Sequence, residues 1–120
     1  KHFELFNYGN HHRDFTYIGD VVKILEILLI KQKKLRAHEI LNICSNKPLN
    51  LKKVISFMKQ KGISPNIKKK ILQKADILKT HGNNKRVIKI TKFKKFSNWK
   101  PCIESTIKWY SEFYKNKRKI

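Results

Sequence analysis

With 120 residues, 40% of them apolar and 11% aromatic, the chain holds one domain with a modest core, and it is too short for two independent domains or too apolar for a disordered segment. A formal charge of +21 points towards a polyanion partner, yet only Arg13, Arg36, Arg86 and Arg118 are arginines and the rest of the 29 basic residues are lysines. Lysine cannot make the forked contacts that phosphate and base recognition favour, so lysine drift on solvated faces explains the charge as well as a polyanion does.

The chain opens at Lys1 rather than Met, and Phe3 and Leu5 already alternate like a strand, so a portion of a longer protein is expected. Gly9-Asn10 ends that strand in a turn. Phe15-Thr16-Tyr17-Ile18 has the aromatic and β-branched content of a second extended piece. Gly19-Asp20 breaks it, with Asp20 as N-cap of a first helix from about Val21 to about Lys33. Val21, Val22, Ile24, Leu25, Leu28 and Leu29 cover a wide arc, which predicts a nearly enclosed helix.

A basic loop follows from Gln32 to His38, then a short buried strand Ile40-Leu41-Asn42-Ile43 and a turn at Ser45-Asn46-Lys47-Pro48. Asn50 caps a second helix from about Leu51 to about Lys61, and Gly62 stops it. Ile67 to Leu72 reads as extended and Gln73 to Asn84 as a loop. Val87-Ile88-Lys89-Ile90 fits a strand or a helix start equally. Lys94 to Trp99 is short and basic, ended by Pro101. A last helix from about Ile103 to about Lys115 carries Ile103, Ile107, Tyr110 and Tyr114 on one face, widened by Trp109 and Phe113. Residues 115–120 form a basic tail expected to fray. Helix alternating with strand gives an α/β class in one partial domain, residues 1–120.

Cys44 and Cys102 are lone thiols, and no histidine falls at zinc-ligand spacing with either, so no metal site is expected. The longest apolar run, Ile27-Leu28-Leu29-Ile30, is far short of a bilayer span, and the cytoplasm is the expected compartment. The sequence holds no phosphate-cradling glycine loop and no nucleophile elbow. A buried thiol after a strand suits Cys44 better than a nucleophile does, because no base lies near it in sequence. No catalytic constellation emerges.

Two residues invite a binding role. Arg13, between a glycine turn and an aromatic run, could hold a diphosphate through its guanidinium fork, or pair with Asp14 or another surface carboxylate. Asp76 could accept from sugar hydroxyls, since an ionised carboxylate takes two donors at once, or could serve an Asx-turn or helix cap.

The run Asn7-Tyr8-Gly9-Asn10-His11-His12-Arg13-Asp14-Phe15-Thr16-Tyr17-Ile18-Gly19-Asp20-Val21-Val22 resembles a segment of the NAD-dependent nucleotide-sugar epimerase/dehydratase family of extended short-chain dehydrogenases, nearest to its UDP-glucuronate 4-epimerase-like branch. Leu41-Asn42-Ile43 with Ser45-Asn46-Lys47-Pro48, Gln73-Lys74-Ala75-Asp76-Ile77-Leu78-Lys79-Thr80, and Trp99-Lys100-Pro101 with Trp109-Tyr110 resemble later family segments in the same order. The chain departs from the pattern at Gly19, Cys44 and Ala75 and between Thr80 and Pro101. The resemblance implies the carboxyl-terminal, substrate-binding part of such an enzyme. Arg13 would then lie on the diphosphate side and Gln73 and Asp76 near the diphosphate and uridine ribose, with Tyr17 and Asn42 in support.

The family's glycine-rich NAD loop and its Tyr-x-x-x-Lys pair are absent from the sequence. The resemblance therefore implies a UDP-sugar-contacting portion of an NAD-dependent epimerase, inactive alone and binding no NAD by itself. It also implies a homodimeric parent whose Rossmann part supplies the rest. Parts of the sheet and the first helix should pack on that part, leaving an apolar patch on this chain. A small basic nucleic-acid-binding module, using Lys68-Lys69-Lys70, Lys94-Lys95 and Trp99, is the alternative from a different class.

Overall fold

A computed structural model describes residues 2–117. Strand β1 (Phe3–Leu5) leads into a tight turn at Phe6–Gly9 in which Asn7, Tyr8 and Gly9 all take left-handed φ. Strand β2 (His12–Arg13) follows, then helix α1 (Ile18–Ile30), strand β3 (Leu49–Asn50), helix α2 (Leu51–Gln60), strand β4 (Ile67–Lys69), helix α3 (Lys85–Thr91) and helix α4 (Trp99–Lys117). β1 pairs in parallel with β4, Phe3 opposite Ile67, and β2 pairs antiparallel with β3, His12 opposite Asn50. On its other side β2 takes a parallel bridge to Lys79. There the His12 N–H donates to Leu78 O at 2.9 Å and Thr80 N–H to His12 O at 3.0 Å. β2 is therefore the middle of a small three-stranded patch, and it draws the 76–80 loop alongside residues 11–13.

The α2 readings hold at both ends. Asn50 Oδ1 accepts from Lys52 N–H at 2.9 Å, satisfying one of the helix's orphan donors, and Gly62 takes a left-handed φ of 80° just past the last turn. Residues 87–90 resolve as helix, within α3. Its carbonyl end receives the Lys31 ammonium, which donates to Ile90 O and Thr91 O at 3.3 Å each, a cation placed where the helix dipole is negative.

Several expectations are corrected. Phe15–Tyr17 is not a strand: Phe15 N–H turns back onto Arg13 O at 3.1 Å, which steers the chain off the ladder, and Tyr17 O already accepts the first helical bonds. α1 therefore begins at Ile18 and Asp20 lies inside its first turn, not at the cap. Asp20 is buried, and both its oxygens go to Ser97, Oδ2 to the backbone N–H at 2.8 Å and Oδ1 to the hydroxyl at 2.7 Å. Ile40–Ile43 pairs with no strand among the described residues; Leu41 and Ile43 still turn inward, packing on the core. α4 starts at Trp99, so Pro101 sits in its first turn, where its missing N–H costs nothing, rather than before it. The tail is helical as far as Lys117, and residues 118–120 lie outside the described ones.

The core is small. Ile24, Val87 and Phe96 form its centre, with Leu28, Leu41, Ile43, Ile88 and Phe93 around them. A second packing centre joins α2 to α4 through Phe57 and Trp99, edge to face at 5.1 Å. α1 is not enclosed. Ile24 is fully buried, but Ile18 is 67% exposed, Leu29 70% and Ile30 83%, with Val22 and Leu25 also open. The expected apolar patch is present instead.

Candidate functional site

The site is built on β2 because that strand is pinned on both sides. His12 and Arg13 pair with β3, the 76–80 loop bridges the other edge, and Leu51 N–H donates to His11 O at 2.9 Å. Three side chains converge there across a sequence separation of more than sixty residues. Arg13 Nη2 lies 3.2 Å from Asp76 Oδ1, and His11 Nε2 lies 3.0 Å from Asp76 Oδ2. The side chains of Arg13 and Asp76 are 31% and 23% exposed, whereas that of His11 is 4% exposed. Arg13 and Asp76 thus open to solvent while His11 backs them from the interior. The carboxylate alternative raised for Arg13 is what the structure shows, but the partner is Asp76, not Asp14.

Asp14 lies one residue past β2, in the turn that Phe15 N–H closes onto Arg13 O, and its carboxylate is engaged elsewhere. It ties three segments together. Its Oδ1 accepts from the Ser45 hydroxyl, and its Oδ2 from Asn46 N–H at 3.1 Å and Gly82 N–H at 3.2 Å. Its own N–H donates to Thr80 Oγ1 at 3.1 Å. A carboxylate holding several donors at once is a strong local clamp. Gly82 is required at this junction, because a Cβ there would overlap the Cys44 side chain. Burial, and then the Asp14 carboxylate, push the Cys44 thiol above its ordinary range, which suits a packing residue and not a nucleophile.

The other expected residues are placed separately. Gln73 is exposed, and its carbonyl accepts from Asp76 N–H at 3.1 Å, so it starts the turn that presents Asp76. Asn42 is exposed between the inward Leu41 and Ile43. Tyr17 lines an apolar cavity of about 380 Å³ with Phe15, Ile18, Leu49, Trp99 and Ile103, away from the Arg13–Asp76 pair. His11 and the clamps at Asp14 and Asp20 were not legible beforehand, since each depends on segments far away in sequence. Among the described residues no group of His, Cys, Asp and Glu is arranged to hold a metal ion. No described helix is long and apolar enough to cross a membrane.

No protein-family profile matches the chain. An uncharacterized protein of Methanocaldococcus jannaschii is 36% identical over 118 residues, covering 95% of this chain and 33% of the relative. Protein CapI of Staphylococcus aureus is 24% identical over 129 residues, covering 93% of this chain and 38% of CapI. Among solved structures, MoeE5 in complex with UDP-glucuronic acid and NAD superposes with a TM-score of 0.77 at 20% identity, over 93% of this chain and 37% of MoeE5. The UDP-Glc/GlcNAc 4-epimerase of Campylobacter jejuni gives 0.77 at 18% identity, over 91% of this chain and 36% of the epimerase. The chain folds like part of a UDP-sugar epimerase. It spans between 33% and 39% of the length of the curated relatives it matches.

Proposed function

We propose that this chain is the carboxyl-terminal, UDP-sugar-contacting portion of an NAD-dependent nucleotide-sugar epimerase, of the UDP-glucuronate 4-epimerase-like branch. The observation that carries the reading is the Arg13–Asp76 pair, a guanidinium fork and a carboxylate held side by side at a partly open edge. These are the chemistries that a nucleoside diphosphate needs. Arg13 would take the diphosphate oxygens through paired N–H donors. Asp76 would take ribose hydroxyls, with Gln73 beside it at the head of the same turn. The superposition on proteins solved with UDP-sugars and NAD supports the same reading.

Bound NAD would supply the hydride transfer that inverts a sugar carbon, but this sequence has neither a glycine-rich dinucleotide loop nor a Tyr-x-x-x-Lys pair. What this chain's residues do is bind and orient the nucleotide end. Tyr17 and Asn42 play supporting parts, and the remaining two thirds of a homodimeric parent would complete the catalytic half.

Titration of the chain with UDP-glucose, followed by backbone amide shifts, tests this. Shifts should centre on residues 11–14 and 73–80, and Arg13→Ala should weaken binding about tenfold or more, the loss of a charge-assisted bond. The chain should show no epimerisation with NAD. Millimolar UDP-glucose that leaves residues 11–14 and 73–80 unmoved would sink the reading.

A further inference from the structure

We propose that His11 is a positioning residue for Asp76: its buried imidazole holds the carboxylate from behind, so that the free lone pairs face the ribose hydroxyls of a uridine nucleotide. This rests on the reading of Asp76 as the ribose contact and names what makes that contact possible.

His11 is 3% exposed, and its Nε2 sits 3.0 Å from Asp76 Oδ2. That nitrogen has no aligned hydrogen-bond partner, so the approach to Asp76 is short in distance but off line in angle. A buried polar nitrogen left without a bond is costly, and the Asp76 carboxylate at 3.0 Å is the polar group that a small turn of either side chain would bring into line with it. The ring cannot easily drift, because the backbone on either side is tied down: His11 O accepts from Leu51 N–H at 2.9 Å and His12 is bonded to both Leu78 and Thr80.

The lone-pair inventory then assigns the roles. An ionised carboxylate offers about four acceptor positions. Arg13 bonds Oδ1 and His11 stands against Oδ2 without an aligned bond, which leaves at least one open position on each oxygen. Two neighbouring hydroxyls, the cis-diol of a ribose, match that vacancy. Arg13 and His11 also differ in what happens when nucleotide arrives. Arg13 is partly exposed and swings towards the diphosphate, loosening its hold on Oδ1. His11 is buried and stays, so the carboxylate keeps its orientation when its other partner leaves.

The test uses His11→Gln and His11→Asn, both smaller than histidine and both polar. A glutamine amide nitrogen reaches roughly where Nε2 stands, whereas that of asparagine stops roughly at Nδ1. Two readouts are taken on the whole chain: the Asp76 side-chain rotamer from three-bond NMR couplings without ligand, with Arg13→Ala present throughout so that only His11 differs, and, with Arg13 intact, the affinity ratio of UDP to 2′-deoxy-UDP. We expect one Asp76 rotamer with His11 present and in His11→Gln, and rotamer averaging in His11→Asn. The preference for UDP should fall about tenfold in His11→Asn and return in His11→Gln, while binding of deoxy-UDP changes little. A single unaltered Asp76 rotamer in His11→Asn would overturn the role of His11. An unsubstituted chain that binds UDP and deoxy-UDP equally would instead overturn the ribose reading of Asp76, and the rotamer measurement judges His11 independently of it.

Discussion

Arg13 and Asp14 are neighbours in sequence with opposite tasks. The arginine ends β2 at an open edge, where it meets Asp76, and the aspartate lies in the turn just beyond, where it gathers Ser45, Asn46 and Gly82. The arginine could be singled out in the sequence because it is rare in a lysine-rich chain and sits at a turn. The aspartate could not, because its donors come from 31, 32 and 68 residues away. Asp14→Ala should cost roughly 2 to 4 kcal/mol, since three donors lose one charged acceptor together and the 45–46 and 82 turns come apart. Chemical denaturation measures it; a loss within 0.5 kcal/mol of zero would show that the clamp is ornamental.

Among the elements, α2 with its strong local code and the extended segments that became β1 and β4 were legible, and the other strand readings were not. α2 has an asparagine cap, an apolar stripe and a glycine stop, all between Asn50 and Gly62, and it folds as read. The segments 15–18 and 40–43 have strand composition but pair with no strand among the described residues, and a strand exists only in its ladder. Asp20 shows the same limit at a helix. It has the composition of a cap, yet the chain reaches helical geometry two residues earlier and frees it to hold Ser97. That bond anchors the segment before α4 to the first turn of α1. Asp20→Ala should therefore lower stability by roughly 2 to 3 kcal/mol, and Ser97→Ala by only about 1 kcal/mol, because the Ser97 N–H still reaches the carboxylate. Thermal unfolding of the two variants gives the order, and equal losses would contradict it.

The whole molecule is too open for its size. A radius of gyration of 17.6 Å compares with about 14 Å for a compact chain of this length. An accessible surface of 9705 Å² compares with about 6,800 Å² expected at this mass. Large apolar side chains stand exposed on two helices: Ile18, Val22, Leu25 and Leu29 along α1, and Trp109, Tyr110, Phe113 and Tyr114 along α4. The proposed parent enzyme would cover the α1 face with its nucleotide-binding part. Leu29→Glu with Ile30→Glu should then leave the melting temperature of this chain within about 2 °C and raise its solubility, since these side chains are 70% and 83% exposed. A fall of 8 °C or more would place both residues in this chain's own core.

By itself the sequence determined α1, α2 and α4 to within a few residues, the Asn50 cap and Gly62 stop of α2, the rarity of arginine and a family likeness, because those signals lie within a turn or two of one another. It also carried Arg13 and Asp76 as separate candidates, each with two open roles. Only the tertiary structure joined them. β2 is held between β3 and the 76–80 loop, and that pairing, made by backbone groups that are alike in every residue, is what brings Arg13, Asp76 and His11 within reach of one another. Backbone pairing leaves little mark on composition, so a site assembled by it stays hidden until the chain is folded.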